Sequence, residues 1–227
     1  MSALKSLTDE HQAIGELLGA LQTYATRLKS GASVAPADLT RFAEVLRELV
    51  DYRHHEKEEG ILLPLLARNG FEWSSGLLSA LRHEHGHLRY LLDVLCQAGA
   101  KSQEELDARG SREERRQIAE AAIAFVEFKR RHIQKEEDEL FPAIESKLGA
   151  RALEKLSAEL AQFDEVTGKN AESARIFQHA AELVQRYSVD SGVVDVTGVQ
   201  WESAPDTAVH VRQEVANVAF TSFGRSR

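Results

Sequence analysis

The sequence predicts an all-α protein: an antiparallel up-down four-helix bundle followed by one or two extra C-terminal helices and an irregular tail. Three observations carry that prediction. Apolar residues recur every three or four positions over long segments, the period of a helix buried on one side. Breakers containing Gly and Pro cut the first 148 residues into four such segments. The first pair of segments also resembles the second, as expected of two helical hairpins related by a pseudo-twofold, neither able to bury its own apolar face alone.

In the first segment Leu7, His11, Ile14, Leu18 and Leu21 form the apolar stripe, and GASVAP (Gly31 to Pro36) ends it. Asp38 or Thr40 is available near the start of the second helix, whose stripe is Leu46, Val50, His54, Glu58, Ile61 and Leu65. Pro64 stands where a helix kinks before ending. ARNGFEWSSG (Ala67 to Gly76) separates the second helix from the third and places Phe71 and Trp73 to cover an end of the bundle or an entrance to it. The third stripe is Leu78, Leu81, His85, Leu88, Leu92 and Leu95, followed by a loop from Ala98 to Gly110 in which EELDA fits a short helical turn. SREERRQ (Ser111 to Gln117) opens the fourth helix, with Ser111 and Glu114 as a capping box and its charges on a solvated face. The fourth stripe is Ile118, Ala121, Phe125, Phe128, His132, Glu136 and Leu140.

Residues 1–148 thus form the bundle, and residues 149–187 supply additional helices packed on it. Their stripes are Leu148, Leu153, Leu156, Leu160 and Phe163, then Ala174, Phe177, Ala181 and Val184, with His179 off the stripe and facing solvent or a partner. Residues 188–227 change composition: the alternation in VVDVTGVQW fits a short strand pair or a flexible tail, and His210 there is incidental.

Composition limits the function classes. A chain of 227 residues with 43% hydrophobic and 28% charged content buries a sizeable core as a helical globular protein. A net charge of −8 gives no support for nucleic-acid or acidic-membrane binding, which need basic patches. The single cysteine, Cys96, excludes an internal disulfide framework and reads as a small buried hydrophobe. MSALKSLTDEHQ lacks the regions of a signal peptide and no apolar run is long enough to span a membrane, so a cytoplasmic location is expected.

The chemistry lies in a repeat. HHEKEEGILLP at residues 54 to 64 and HIQKEEDELFP at residues 132 to 142 each place a histidine four residues before a glutamate and ten before a proline. On a helix, i and i+4 share a face, so His54 with Glu58 and His132 with Glu136 each interrupt an apolar stripe with an imidazole and a carboxylate. A buried carboxylate is costly unless it is paired or bound to metal. No Lys or Arg is expected on either stripe near these glutamates, so the pattern favours metal. His55 falls with Glu48, Asp51 and Glu59 on the opposite stripe and reads as solvated.

More ligands come from EHQAIGELLGAL (Glu10 to Leu21) and EHGHLRYLLDVL (Glu84 to Leu95), each with one histidine on its seam, His11 and His85. His83 and His87 are also i and i+4, but on an offset stripe, and rank behind His85. Mixed imidazole and carboxylate ligands suit iron, manganese or zinc, and the lack of a cysteine cluster argues against thiolate sites. Asp51 and His54 have the i, i+3 spacing of the Glu-x-x-His of ferritin-like sites, but the second half has no counterpart, so that reading is set aside.

The order H…HxxxE…H…HxxxE, from His11 to Glu136, resembles the hemerythrin-like, or HHE, domain over roughly residues 5 to 148. The resemblance implies two non-haem irons with a bridging oxo or hydroxo group, bridged by Glu58 and Glu136, with His11, His54, His85 and His132 as terminal ligands. It also implies binding or sensing of dioxygen, nitric oxide, peroxide or iron. The sequence departs from the oxygen carriers, which use five histidines and an H-x-x-x-x-D in the last helix. Here that helix has H-x-x-x-E, and a fifth histidine would have to be His83 or His87. Two histidines per metal leave open positions, which favours ligand activation or sensing over carriage.

The alternative is a di-iron enzyme, with peroxidase- or catalase-like or nitric-oxide-detoxifying activity, or an iron donor for cluster repair, with Tyr52 and Tyr90 near the site. A structural bundle with vestigial ligands is the third reading. The expected partner is a small diatomic molecule or peroxide, with no nucleic acid and no membrane.

Overall fold

The computed structural model describes residues 3–99, 112–168 and 171–188, all within one compact unit, Met1–Ser188. Helix α1 (Lys5–Ser30) is followed by a long rod made of α2 (Ala37–Leu46), π-helical turns at Arg47–His55 and Glu58–Leu62, and α3 (Leu63–Arg68). Next come α4 (Gly76–Gly99) and a second rod made of α5 (Arg112–Lys135), a π-helical turn at Glu136–Leu140 and α6 (Phe141–Lys147). Two more helices, α7 (Ala150–Gly168) and α8 (Ala171–Tyr187), complete it. Among the described residues there is no strand, and no helix is long and apolar enough to cross a membrane. The expected Ser111 cap, the EELDA turn and the tail with His210 lie outside the described residues.

Core packing reveals the alternating direction of the helices. One apolar cluster joins Leu4 and Leu7 at the start of α1, Leu62 to Leu66 at the end of the first rod, Leu78 and Leu81 at the start of α4, and Leu140 to Leu148 at the end of the second rod. Starts therefore meet ends, as in an up-down bundle. Leu156 and Leu160 of α7 close this cluster and Phe71 packs against it, whereas Trp73 stays partly exposed with the Arg82 guanidinium 4.5 Å from its ring centroid. Each fully buried leucine contributes about 1.5–3 kcal/mol relative to exposure.

At the other end Tyr24, Phe42 and Tyr187 form a ring cluster with centroids 5.3 to 5.8 Å apart. There α4 meets α2 so closely that a Cβ on Gly99 would lie 3.0 Å from the Thr40 backbone, and the Thr40 hydroxyl donates to the Gly99 carbonyl at 2.6 Å.

The loop chemistry follows from single residues. Gly31 takes φ 81°, a left-handed conformation that ends α1 while the Gly31 and Ala32 amides return to the Leu28 and Arg27 carbonyls. Asp38 does not cap α2: it is buried and accepts from Arg186 at 2.6 Å and from the Tyr187 hydroxyl at 2.8 Å, while Pro36 occupies the N-cap. Pro64 and Pro142 each follow a π-helical turn. A proline lacks the amide and crowds the carbonyl four residues back, and the wider turn gives that carbonyl room.

Two packing expectations change. The buried face of α8 is Ser173, Ile176, Leu183 and Tyr187, one position from the expected stripe, leaving Ala174, Phe177 and Ala181 exposed. The larger Leu183 and Tyr187 win the interior, and Ser173 enters because Arg53 donates to its hydroxyl at 2.5 Å. Cys96 is half-buried rather than enclosed, with Arg47 Nη2 3.4 Å from its sulfur.

Candidate metal centre

The six side chains singled out by the repeat come together inside the bundle. His11 comes from α1, His54 and Glu58 from the first rod, His85 from α4, and His132 and Glu136 from the second rod, and all six are buried. His11 Nε2 lies 3.1 Å from His54 Nε2, and His85 Nε2 lies 3.2 Å from His132 Nε2. The carboxylates span the two histidine pairs. Glu58 has Oε1 3.5 Å from His54 Nε2 and Oε2 3.2 Å from His85 Nε2, while Glu136 has Oε1 3.1 Å from His132 Nε2 and Oε2 3.2 Å from His11 Nε2.

The outer ring nitrogens fix the tautomers. His11 Nδ1 meets Glu137 at 2.8 Å, His54 Nδ1 meets Glu10 at 3.1 Å, His85 Nδ1 meets Glu59 at 2.6 Å and His132 Nδ1 meets Glu84 at 2.8 Å. An ionised carboxylate only accepts, so each Nδ1 carries the hydrogen and each neutral ring turns a bare Nε2 lone pair inward. Two lone pairs at 3.1 Å repel unless a proton or a cation lies between them. Both oxygens of Glu58 and Oε2 of Glu136 are likewise buried without a hydrogen-bond donor. Such a donor set fits cations shared by imidazole and carboxylate. Four-residue groups within ligating reach are His11, His54, Glu58 and Glu136, and His55, Glu58, His85 and His132.

Electrostatics agree with this geometry. Burial opposes charge on His11 and His85, but Glu136 beside the first and Glu58 and Glu59 beside the second outweigh it, so both pKa values rise above the ordinary 6.5. Burial dominates at His54 and holds its pKa well below that value. Burial raises and the imidazoles lower the pKa of the two central carboxylates. The imidazoles win, holding Glu58 below the ordinary value of 4.5 and Glu136 well below it.

Behind the first half stands a buried clasp. Lys57 Nζ, fully enclosed, donates to Glu10 at 2.5 Å, to Asp164 of α7 at 2.8 Å and to the Ser6 hydroxyl at 2.9 Å. Lys135, at the same place in the second motif, donates to Glu84. Arg89 holds both Glu59 at 3.0 Å and Asp51 at 2.6 Å, so Asp51 is an ion-pair partner and not a ligand candidate.

Several expectations are corrected here. His55 is not solvated: it is buried, its ring stacked on His85 with centroids 4.0 Å apart. The π-helical Arg47–His55 segment fits one more residue into each turn, and Asp51, Arg53, His54 and His55 all turn inward. Cations do lie near the glutamates, since Lys57 and Lys129 are both fully buried and Lys129 takes the core position expected of Phe128. Lys129 Nζ donates to His55 Nε2 at 3.1 Å.

His83 and His87 do not enter the site: His83 is exposed and donates to the Ser79 carbonyl, and His87 packs on Phe128. Tyr52 and Tyr90 point to the surface. Glu59, expected on the solvated face, supports His85. The signal for the supporting carboxylates was in the sequence, because Glu10 precedes His11 as Glu84 precedes His85, and Glu59 follows Glu58 as Glu137 follows Glu136. His55 and Lys129 have no such echo, since Ile133 and Asp51 stand at the matching positions.

The family model of the hemerythrin HHE cation binding domain matches residues 2–144 and, again, 76–190. No curated protein and no solved structure matches the chain significantly.

Proposed function

We propose that this chain, which belongs to the hemerythrin HHE cation-binding family, holds two non-haem irons bridged by Glu58 and Glu136 and uses them to bind or sense dioxygen, nitric oxide, peroxide or iron itself. One iron would take His11 and His54, the other His85 and His132. The observation that carries the reading is the pair of Nε2 to Nε2 approaches at 3.1 and 3.2 Å, with every Nδ1 committed to a carboxylate. Such irons supply a redox-active pair of Lewis acids with positions left for a small ligand.

The chain's own residues do the rest. Glu10, Glu59, Glu84 and Glu137 orient the imidazoles and raise their basicity. Leu7, Leu81, Leu140 and Phe141 keep bulk water from one side, Phe141 stacking parallel to His11 at 5.5 Å. Glu58 and Glu136, already ionised, offer an oxygen to each side.

Metal content per chain, with an absorption spectrum in air and after peroxide, tests the reading. Two irons per chain with oxo-bridged charge-transfer bands in the near ultraviolet are expected. Folded protein that takes up no metal on reconstitution would overturn it, and consumption of many equivalents of peroxide would move the function to turnover.

A further inference from the structure

We propose that Lys129 and His55 form a cationic seat for a small inorganic anion at the His85–His132 side of the centre. The proposal rests on the metal-centre reading above and deepens it by naming the chemistry of the exogenous ligand.

Lys129 is enclosed in the bundle with a single hydrogen-bond partner among the described residues, the neutral His55 ring at 3.1 Å, and no ion pair with a carboxylate there. Lys57, equally buried, has three oxygen partners. An ammonium group carries three N–H donors, so two of those on Lys129 are uncommitted in a place where an unpaired charge is costly. The group is central rather than peripheral: its charge bears on Glu58 and Glu136 and on His11, His54 and His85.

It is not needed to hold the ligands, because the repeat does without it. The matching position in the first half is Asp51, which faces Arg89. His55 stacks on His85 and lies within ligating reach of Glu58, His85 and His132, so Lys129 is tethered beside the second pair. His55 Nε2 has one lone pair, used for Lys129 or for a metal. In either case Lys129 keeps uncommitted donors, and cations held by the two histidine pairs would repel it. An anion between them removes that repulsion and accepts those hydrogen bonds, which are of the strong charge-assisted kind. A neutral diatomic gains far less from the ammonium.

The test uses azide as the anion and nitric oxide as the neutral ligand, titrated into the metal-loaded full-length chain and followed by absorption and calorimetry. Lys129→Met should weaken azide roughly tenfold to a hundredfold, the loss of one charge-assisted hydrogen bond. Two metals per chain should remain, and nitric oxide affinity should change less than about threefold, with tenfold set by 1.4 kcal/mol. Lys129→Gln, which keeps a polar head, serves if the methionine variant does not fold and should weaken azide in the same direction. His55→Gln should weaken it less. Unchanged azide affinity in a Lys129 variant that retains two metals overturns the proposal and leaves Lys129 an internal counter-ion. Equal weakening of azide and nitric oxide also overturns it. A wild-type chain that takes up no metal overturns the underlying reading instead, and the metal count tells the two failures apart.

Discussion

The half of the bundle built from residues 5–68 and the half built from residues 76–147 present the same chemistry to the centre and differ in what stands behind it. Glu10 and Glu84, His11 and His85, His54 and His132, Glu58 and Glu136, Glu59 and Glu137, and Lys57 and Lys135 are matched. Position by position, Asp51 against Lys129, His55 against Ile133 and Gly15 against Arg89 are not. Matched residues touch the six central side chains or hold the residues that do. Unmatched ones make the surroundings of the two histidine pairs unequal: beside His85 and His132 lie a stacked histidine, His55, and the Lys129 ammonium that donates to it. The pseudo-twofold is therefore a match in the residues around the two histidine pairs, and departures from it mark what differs between them.

The strongest way to break this comparison is to remove a shared bridge. Glu58→Ala and Glu136→Ala should each lose most of the metal and to a similar degree, because each carboxylate serves both histidine pairs. Metal content after reconstitution reads this directly, and two metals retained in either variant would end the assignment. Next come the carboxylates on Nδ1. Glu10→Gln and Glu84→Gln should each lower metal affinity about 10- to 100-fold, the usual cost of losing such a support. Glu137→Gln should sit at the low end, since that side chain is 42% exposed and water can take its place. Competition with a chelator measures all three.

The metal-free site gives a sharper test through protons. His11 and His85 have pKa values raised above 6.5, so at neutral pH a share of each carries a proton in the position a cation would take. A metal has to displace it. Metal uptake should therefore release protons at pH 7, and affinity should fall as pH falls through those raised values. His54 works in the other direction: its folded pKa is lowered, so below the ordinary 6.5 the unfolded chain binds the proton more readily and stability of the metal-free protein declines with acid. Calorimetry in buffers of different ionisation enthalpy checks the release, and zero net protons would mean the facing Nε2 atoms are not proton-sharing pairs.

The repeat explains what was legible in the sequence. Helical period and breakers located the four bundle helices, and two independent copies of H-x-x-x-E converted weak motifs into a consistent set of six. Leu78, Leu81, His85, Leu88, Leu92 and Leu95 are all buried as the 3.6-residue period requires. The period failed where the helix is not α. Across the π-helical Arg47–His55 the face rotates, and His55 moves from the solvated stripe to the core. In α8 the failure was one of size, since an alanine stripe offered a regular pattern and the neighbouring Leu183 and Tyr187 offered more area to bury. Lys129 was missed because a lysine on a stripe is ordinarily excluded, and only a polar cluster from three other helices makes its burial tolerable.

The two lysine clasps extend the comparison to stability. Lys57→Ala leaves Glu10 and Asp164 facing each other without their shared cation and should destabilise the chain by about 3 kcal/mol, in the range for breaking a buried pair. Lys135 is 31% exposed and solvent screens its contact with Glu84, so Lys135→Ala should cost less than about 1 kcal/mol. Denaturant unfolding of the metal-free variants separates the two, and equal costs would mean that α7 contributes nothing to the clasp.

The smallest effect belongs to the histidine pair that the sequence placed beside the site. His83 sits on α4 only two residues before His85, yet two residues on a helix is about 200° of rotation, which carries His83 to the exposed face. Among the described residues its Nδ1 donates to the Ser79 carbonyl at 2.7 Å, a local hydrogen bond within its own helix. His83→Ala should leave metal content at the wild-type value and stability within about 0.5 kcal/mol, as for an ordinary surface change. His85→Ala, in the same turn, removes an imidazole shared among Glu58, Glu59 and His132 and should empty the second position. If the two variants lost metal equally, the register of α4 would be wrong by that rotation, and the matching of His11 with His85 on which the pseudo-twofold depends would fail with it.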